Sequence, residues 1–123
     1  MTRAMKGTLI GILAIVILML AFSEITGRIT NSRIHKRVAY WKSLVDKELP
    51  PGSAKESVQQ WGKDHHLNLI WVSSKNLFDA NVEQIPVVGI GFPCDEWNII
   101  IEIYIGNDGK SVRREVYSVG SCI

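Results

Sequence analysis

The stretch from Cys94 to Cys122 constrains the fold most, because its composition is typical of a single long β-hairpin. Residues 97–105 are dense in isoleucine, whose branched Cβ suits a pleated strand. Residues 106–109 read Gly-Asn-Asp-Gly, and these residue types tolerate the positive φ angles of a tight reversal. The stretch therefore predicts two antiparallel strands joined by a short turn.

The register of this hairpin can be set in two ways. A three-residue loop closed by a glycine bulge places Glu102 opposite Arg114, and it places Cys94 opposite Cys122. This register, which we prefer, gives one cross-strand ion pair and brings two thiols close enough to form a disulfide. Because such a bond restricts the unfolded chain, it would contribute on the order of 3 kcal/mol to a small domain.

The alternative register uses a two-residue Asp-Gly turn. It places Ile101 opposite Val116, which is a better apolar match. It also opposes Glu102 to Glu115, and it moves the two cysteines out of register. A bulge elsewhere in the arm would reconcile the two registers.

An uncharged apolar run covers residues 7–22, behind two basic residues. At ~1.5 Å per residue, a helix of this length is somewhat shorter than the ~30 Å hydrocarbon core of a bilayer. The run fits either a retained single-pass anchor or a signal peptide cleaved before Glu24, where Ala21 and Ser23 are suitably small. We favour an anchor that contacts membrane lipid through residues 7–22, because neither glycine nor proline breaks the end of the run.

Two indications about the orientation of the chain in the membrane oppose each other. Basic residues beyond the run outnumber those in front of it, and the positive-inside rule would then keep the C-terminal domain in the cytoplasm. A persistent disulfide instead requires an oxidising compartment, and a short basic N-terminus before an apolar core is typical of export. We therefore expect the domain in the periplasm, held at a bacterial inner membrane, or secreted if the signal is cleaved near Ser23.

The chain divides into three parts. Residues 1–25 form the anchor or uncleaved signal segment, residues 26–50 form a basic amphipathic helix, and residues 51–123 form a small α+β domain. In the second part, apolar residues recur at three- and four-residue spacing and predict a helix over 30–48, which two prolines then end.

The third part predicts a short helix followed by strands. Ser53 and Glu56 have the spacing of a capping box, so a helix is expected to begin there. Strands are predicted at residues 67–72 and 85–92, with residues 77–84 as a loop between them. Together with the hairpin arms, these strands make a four-stranded antiparallel meander that one or two helices cover, which is an α+β fold.

The sequence contains no constellation that predicts catalysis, a metal site or a cofactor. His65 and His66, beside Asp64, point in different directions, so we interpret them as surface residues at a helix end. No Cys-x-x-Cys, glycine-rich phosphate loop or Gly-x-Ser-x-Gly elbow is present. We therefore expect a structural disulfide between Cys94 and Cys122, and neither an enzyme nor a cofactor.

Residues 52–58, Gly-Ser-Ala-Lys-Glu-Ser-Val, resemble the turn and helix start of the small outer-membrane-assembly lipoproteins of the SmpA/OmlA type, often Gly-Met-Thr-Lys-Glu-Gln-Val. The matching residues are Gly52, Lys55, Glu56 and Val58. The family's capping threonine falls on Ala54, and the lipidated cysteine of the family is absent. The resemblance implies helices followed by an antiparallel meander in an exported bacterial envelope protein.

Asp95 and Glu96 are surface charges at a strand start, and with the adjacent Trp97 they are the possible partner contact. The net charge of +2 is nearly neutral and disfavours a nucleic-acid partner. We therefore expect a non-catalytic protein-binding domain of the bacterial envelope, with a partner that the sequence does not identify. The alternative is an immunity or inhibitor protein that neutralises a toxin or hydrolase through the sheet face.

Overall fold

A computed structural model describes residues 2–87 and 94–122 of the chain. The helices and strands, in chain order, are α1 (Arg3–Glu48), α2 (Lys55–Asp64), β1 (Ile70–Val72), β2 (Leu77–Pro86), β3 (Cys94–Ile105) and β4 (Ser111–Cys122). The strands form one antiparallel sheet in the order β1-β2-β3-β4. The predicted α+β class, with a four-stranded antiparallel meander, is confirmed.

The strand boundaries differ from those predicted. β1 begins three residues later than expected, at Ile70, and the segment 77–84, predicted as a loop, is most of β2. A shift in pairing between Asn81 and Glu83 breaks the alternation of apolar residues, which made this segment look irregular in the sequence. Of the predicted strand 85–92, the first two residues end β2, and those from 88 onward lie outside the described residues.

α1 is one continuous helix of 46 residues that contains both the apolar run and the basic amphipathic segment. Its described side chains are exposed as far as Ile25, and an 18-residue window with a mean hydropathy of 2.5 makes the helix long and apolar enough to cross a membrane. The buried residues of the helix are Thr26, Thr30, Ile34, Trp41 and Val45. Thr26 and Thr30 add to the apolar residues whose spacing predicted a helix over 30–48. Their hydroxyls donate to backbone carbonyls one turn earlier.

The helices cover one face of the sheet and form the core with it. Ile99, Ile101 and Ile103 of β3 are each 0% exposed, and they pack in one cluster with the buried apolar residues of α1. Val58 and Trp61 of α2 complete the cluster. The residues of β3 that alternate with these isoleucines point to the other face, because successive side chains of a strand project in opposite directions.

The turn between the two helices is held by the tip of the hairpin. The Gly52 N–H donates to the Ser111 carbonyl at 2.8 Å, and the Lys55 N–H donates to the Gly109 carbonyl at 3.0 Å. Gly52 has a φ of +87°, a conformation that costs glycine little. The first turn of α2 therefore finds a hydrogen-bond acceptor in the hairpin rather than in a capping side chain.

The predicted capping box is wrong for this reason. α2 begins at Lys55 with Ala54 as its N-cap, and no side chain accepts a hydrogen bond from the first turn. The Ser53 hydroxyl donates instead to the Pro50 carbonyl. Glu56 lies in the first helical turn, where a negative charge is favourable near the positive end of the helix dipole.

Both predicted hairpin registers occur, in different parts of the hairpin. Next to the turn, the Gly106 N–H donates to the Lys110 carbonyl at 2.8 Å, and Gly109 has a φ of +75°, so the predicted loop with its glycine bulge is confirmed. In the middle of the arms, Ile101 lies opposite Val116, as in the alternative register. A shift in pairing near each end of the arms reconciles the two registers.

The predicted ion pair between Glu102 and Arg114 is wrong, because the shifted register places the two side chains on opposite faces. Arg114 lies opposite Ile103 on the helix-covered face. There its guanidinium lies 3.0 Å from Asp46 Oδ1 and donates to the Leu49 carbonyl. A cation at this position meets the negative end of the α1 dipole and joins the helix to the sheet.

Cys94 and Cys122 form the predicted disulfide, which closes the open end of the hairpin. Their Cα atoms are 3.9 Å apart. Gly120 leaves room for this bond, because a Cβ there would lie 3.1 Å from Cys94 Sγ and 3.3 Å from the ring of Trp97. A larger residue at this position would have to displace the disulfide or the indole.

Candidate functional site

The helices lie against one face of the sheet only, and we call the other face the open face. Residues that pair across antiparallel strands share a face, so the register defines this one. Its side chains are Ile70, Val72, Leu77, Asp79, Asn81, Gln84, Pro86, Glu96, Asn98, Ile100, Glu102, Tyr104, Arg113, Glu115, Tyr117, Val119 and Ser121.

Three carboxylates form a row across the open face. Asp79 lies opposite Glu102, and Glu102 lies opposite Glu115. Like charges in directly opposed positions destabilise a sheet. A row that works against folding in this way is typical of a functional surface rather than of a structural one.

Two tyrosines hold the central carboxylate. The Tyr117 hydroxyl donates to Glu102 Oε1 at 2.7 Å, and the Tyr104 hydroxyl donates to Glu102 Oε2 at 3.0 Å. Burial raises the pKa of Tyr117, and the hydrogen bond to Glu102 raises it further, so this hydroxyl stays protonated at neutral pH. The two bonds fix the orientation of the Glu102 side chain.

Asp79 holds the unsatisfied acceptor of the row. Its Oδ1 is buried and makes no hydrogen bond with any residue that the structure describes. Burial raises the pKa of Asp79 most, and the charge of Glu102 raises it further. A hydrogen-bond donor or a cation brought to this face would give Asp79 Oδ1 a partner and offset the repulsion between Asp79 and Glu102.

Apolar and basic side chains surround the acidic centre. Ile70 and Val119 are 56% and 45% exposed towards opposite edges of the sheet. The Arg113 guanidinium lies 4.0 Å from the centre of the Tyr104 ring, and its Nε is 3.6 Å from Glu115 Oε1, an exposed pair that contributes little to stability. An acidic centre inside an apolar rim suits a lysine or arginine side chain that is flanked by apolar residues.

Among the residues in the described ranges, no three histidine, cysteine, aspartate or glutamate side chains converge as a metal site requires. Of the predicted helix-end pair, His66 is exposed, whereas His65 Nε2 lies 2.7 Å from Glu48 Oε2. Trp61 Nε1 donates to the same oxygen at 2.6 Å, and this bond is the main cause that lowers the pKa of Glu48. These contacts join the ends of the two helices.

The three residues of the predicted partner contact, Asp95, Glu96 and Trp97, do not all lie on the open face. Trp97 shares the covered face and packs, half-buried, against the core. Asp95 is exposed beside the shift in pairing near the disulfide, and Glu96 lies opposite Pro86 on one side and Ser121 on the other. The role of these three residues in binding stays a prediction.

Sequence reasoning missed the acidic row. Asp79 fell in a segment predicted as a loop, and the pairing of Glu102 with Arg114 hid the opposition of Glu102 to Glu115. The alternation of β4 is the signal that could have found the site, because residues 113, 115 and 117 are charged or aromatic and share one face.

The fold and the site define an α+β domain that follows an N-terminal apolar helix and presents an acidic, tyrosine-lined sheet face. A comparison of the chain with protein-family models, with curated proteins and with solved structures finds no match.

Two of the residues that carry the resemblance to the outer-membrane-assembly lipoproteins, Lys55 and Val58, pack α2 against the rest of the domain. Val58 is 0% exposed in the core, and Lys55 Nζ lies 3.9 Å from the centre of the Trp71 ring. These contacts attach α2 to the sheet, and the relationship to that family stays a prediction.

Proposed function

We propose that the chain is a membrane-anchored envelope protein whose C-terminal domain binds a protein partner through the open face. The observation that carries this proposal is the row of carboxylates, with the unsatisfied Asp79 Oδ1, on the sheet face opposite the helices. The partner that fits is a segment with a lysine or arginine between apolar residues, because it would complement both the acidic centre and the apolar rim.

Two features support the anchor and the compartment. The apolar run and the buried stripe belong to one helix, so the anchor enters the domain without an intervening loop. The disulfide between Cys94 and Cys122 supports an oxidising compartment. We therefore place the domain on the periplasmic side of a bacterial inner membrane, with the N-terminal segment retained.

An inhibitor or immunity protein would use the same face against a toxin or hydrolase. The acidic row favours it as a second candidate, because a basic surface on such a target would meet the same carboxylates. The identity of the bound protein separates the two functions, and neither requires a reaction in the domain itself.

Site-specific photo-crosslinking in intact cells tests the proposal. A photoreactive residue at Ile100, on the open face, should give a discrete adduct, and one at Lys42, on the exposed side of α1, should not. The substitution Glu102→Gln should remove the adduct from position 100 by taking away the central charge. Equal adducts from both positions would contradict binding through the open face, and an adduct that survives Glu102→Gln would contradict the role of the acidic centre in it.

A further inference from the structure

A cavity of about 330 Å³ lies between α1 and the end of β2. We call it the basic pocket, and its lining includes Arg33, Lys36, Arg37, Glu83, Ile85 and Pro86. The helical residues follow the apolar run along the same uninterrupted helix. The basic pocket therefore lies on the part of α1 that follows the apolar run, beyond the buried Thr26 and Thr30.

The charge of the basic pocket is positive and only partly compensated. Arg37 donates to both carboxylate oxygens of Glu83, with Nε at 2.9 and 2.8 Å and Nη2 at 2.6 Å, so this pair largely neutralises itself. Arg33 and Lys36 make no hydrogen bond or ion pair with another residue of the described ranges. Two cations that have no partner among the described residues thus border a cavity whose lining includes the buried Ile85.

Arg33, the nearer of these two cations, is within side-chain reach of the headgroup layer. The apolar run is shorter than the hydrocarbon core, so the core reaches beyond its end towards Ile25, which is 58% exposed. Arg33 follows Ile25 by a rise of about 12 Å, and the headgroup region adds roughly 5–8 Å to each side of the core. Long side chains on a helix lean towards its N-terminus, here towards the membrane, and extend their charged ends to the interface.

We propose that the basic pocket binds the phosphate of an anionic phospholipid in the leaflet from which α1 emerges. Arg33 contacts the phosphate, and Lys36, about one helical turn farther from the membrane, adds a second positive charge on the outer side of the headgroup. The proposal rests on the anchoring in the proposed function but not on the side of the membrane. It fixes the orientation of the domain, because α1 and the lipid then hold it at two points.

Native mass spectrometry of the full chain in nanodiscs tests this. The discs contain phosphatidylcholine alone, or phosphatidylcholine and phosphatidylglycerol in equal parts. The wild-type chain should retain phosphatidylglycerol selectively. The double variant R33Q/K36Q should retain roughly tenfold to thirtyfold less, since each cation near a lipid surface contributes on the order of 1 kcal/mol. The matched control K42Q/K47Q removes the same charge farther along α1 and should behave as wild type.

The remaining outcomes separate the possible failures. Equal retention of the two lipids by a chain that stays in the discs, or equal losses in both double variants, would overturn the basic pocket alone. Release of the wild-type chain from the discs by alkaline carbonate would overturn the anchor as well. Displacement of the retained lipid by millimolar soluble glycerol phosphate would show a site for free phosphate rather than for a headgroup. Thermal unfolding of both variants should match wild type, because none of the four side chains is buried.

Discussion

The two faces of the sheet are built from alternate residues of the same strands. They differ in how their apolar side chains are buried and how their charged side chains are paired. On the covered face, Ile101 and Ile103 are fully enclosed, and Arg114 finds both an ion pair and a backbone acceptor on α1. On the open face, Glu102 opposes a carboxylate on each side, and Asp79 Oδ1 lacks a hydrogen-bond partner in the described part of the chain. The comparison teaches that one face stabilises the domain, whereas the other carries opposed charges, and the proposed partner would bind there.

Two neighbouring isoleucines provide the strongest test of this difference. Ile101→Ala removes a fully buried side chain and should lower the free energy of unfolding by about 4 kcal/mol. Ile100→Ala, on the open face, should cost no more than about 1 kcal/mol. Urea unfolding of the full chain in detergent micelles, followed by circular dichroism, measures both, and equal losses would remove the distinction between the faces.

The disulfide should come next in effect. It closes a segment with a sequence separation of 28, so the double variant Cys94→Ser with Cys122→Ser should lose about 3 kcal/mol of stability. Reduction of the wild-type chain should give a loss of the same size in the same urea experiment. A variant as stable as the oxidised protein would show that the bond does not contribute to the fold.

Two adjacent arginines extend the comparison to charged residues. Arg114→Ala breaks the contacts with Asp46 and with the Leu49 carbonyl and should cost about 2 kcal/mol. Arg113→Ala removes only an exposed pair with Glu115 and should change stability by less than about 0.5 kcal/mol. The reverse order would mean that the open face, not the covered one, holds the helix and the sheet together.

The smallest expected effect is a gain. Because burial raises the pKa of Asp79, the folded state holds its proton more firmly than the unfolded state, and the ionised side chain destabilises the fold as pH rises above about 4. Asp79→Asn should therefore stabilise the domain at pH 7, by about 1 kcal/mol or less. The gain should shrink when unfolding is measured at pH 4, and a gain that grows on acidification would contradict this account of Asp79.

The covered face could be predicted from the sequence, because burial leaves a periodic signal. The apolar stripe of α1, the isoleucines of β3 and the cysteine pair all followed from spacing. The burial of Thr26 and Thr30 was not predicted, because threonine is polar. Its hydroxyl can nevertheless be buried when it donates to a carbonyl of its own helix. The order of helices and strands was therefore predictable, although the exact ends were not.

The open face could not be predicted, because a single residue of register decides which side chains share it. The shift in pairing near the turn moves Arg114 to the covered face and sets Glu102 opposite Glu115. Apolar matching favoured one register and the cysteine pair favoured the other, and the polar segment that contains Asp79 gave no strand signal. The proposed function therefore depends on the strand register, the feature that sequence periodicity specifies least.

Hydroxyl-radical footprinting tests the division between the two faces most directly. The full chain is labelled once in native cell envelopes and once after purification in detergent, and oxidation is measured at each tyrosine by mass spectrometry. A bound partner should protect Tyr104 and Tyr117 several-fold in the envelopes, while Tyr40, which is 49% exposed on α1, should be oxidised equally in both samples. Equal oxidation of Tyr104 and Tyr117 in the two samples would contradict the central claim that the open face is a binding surface.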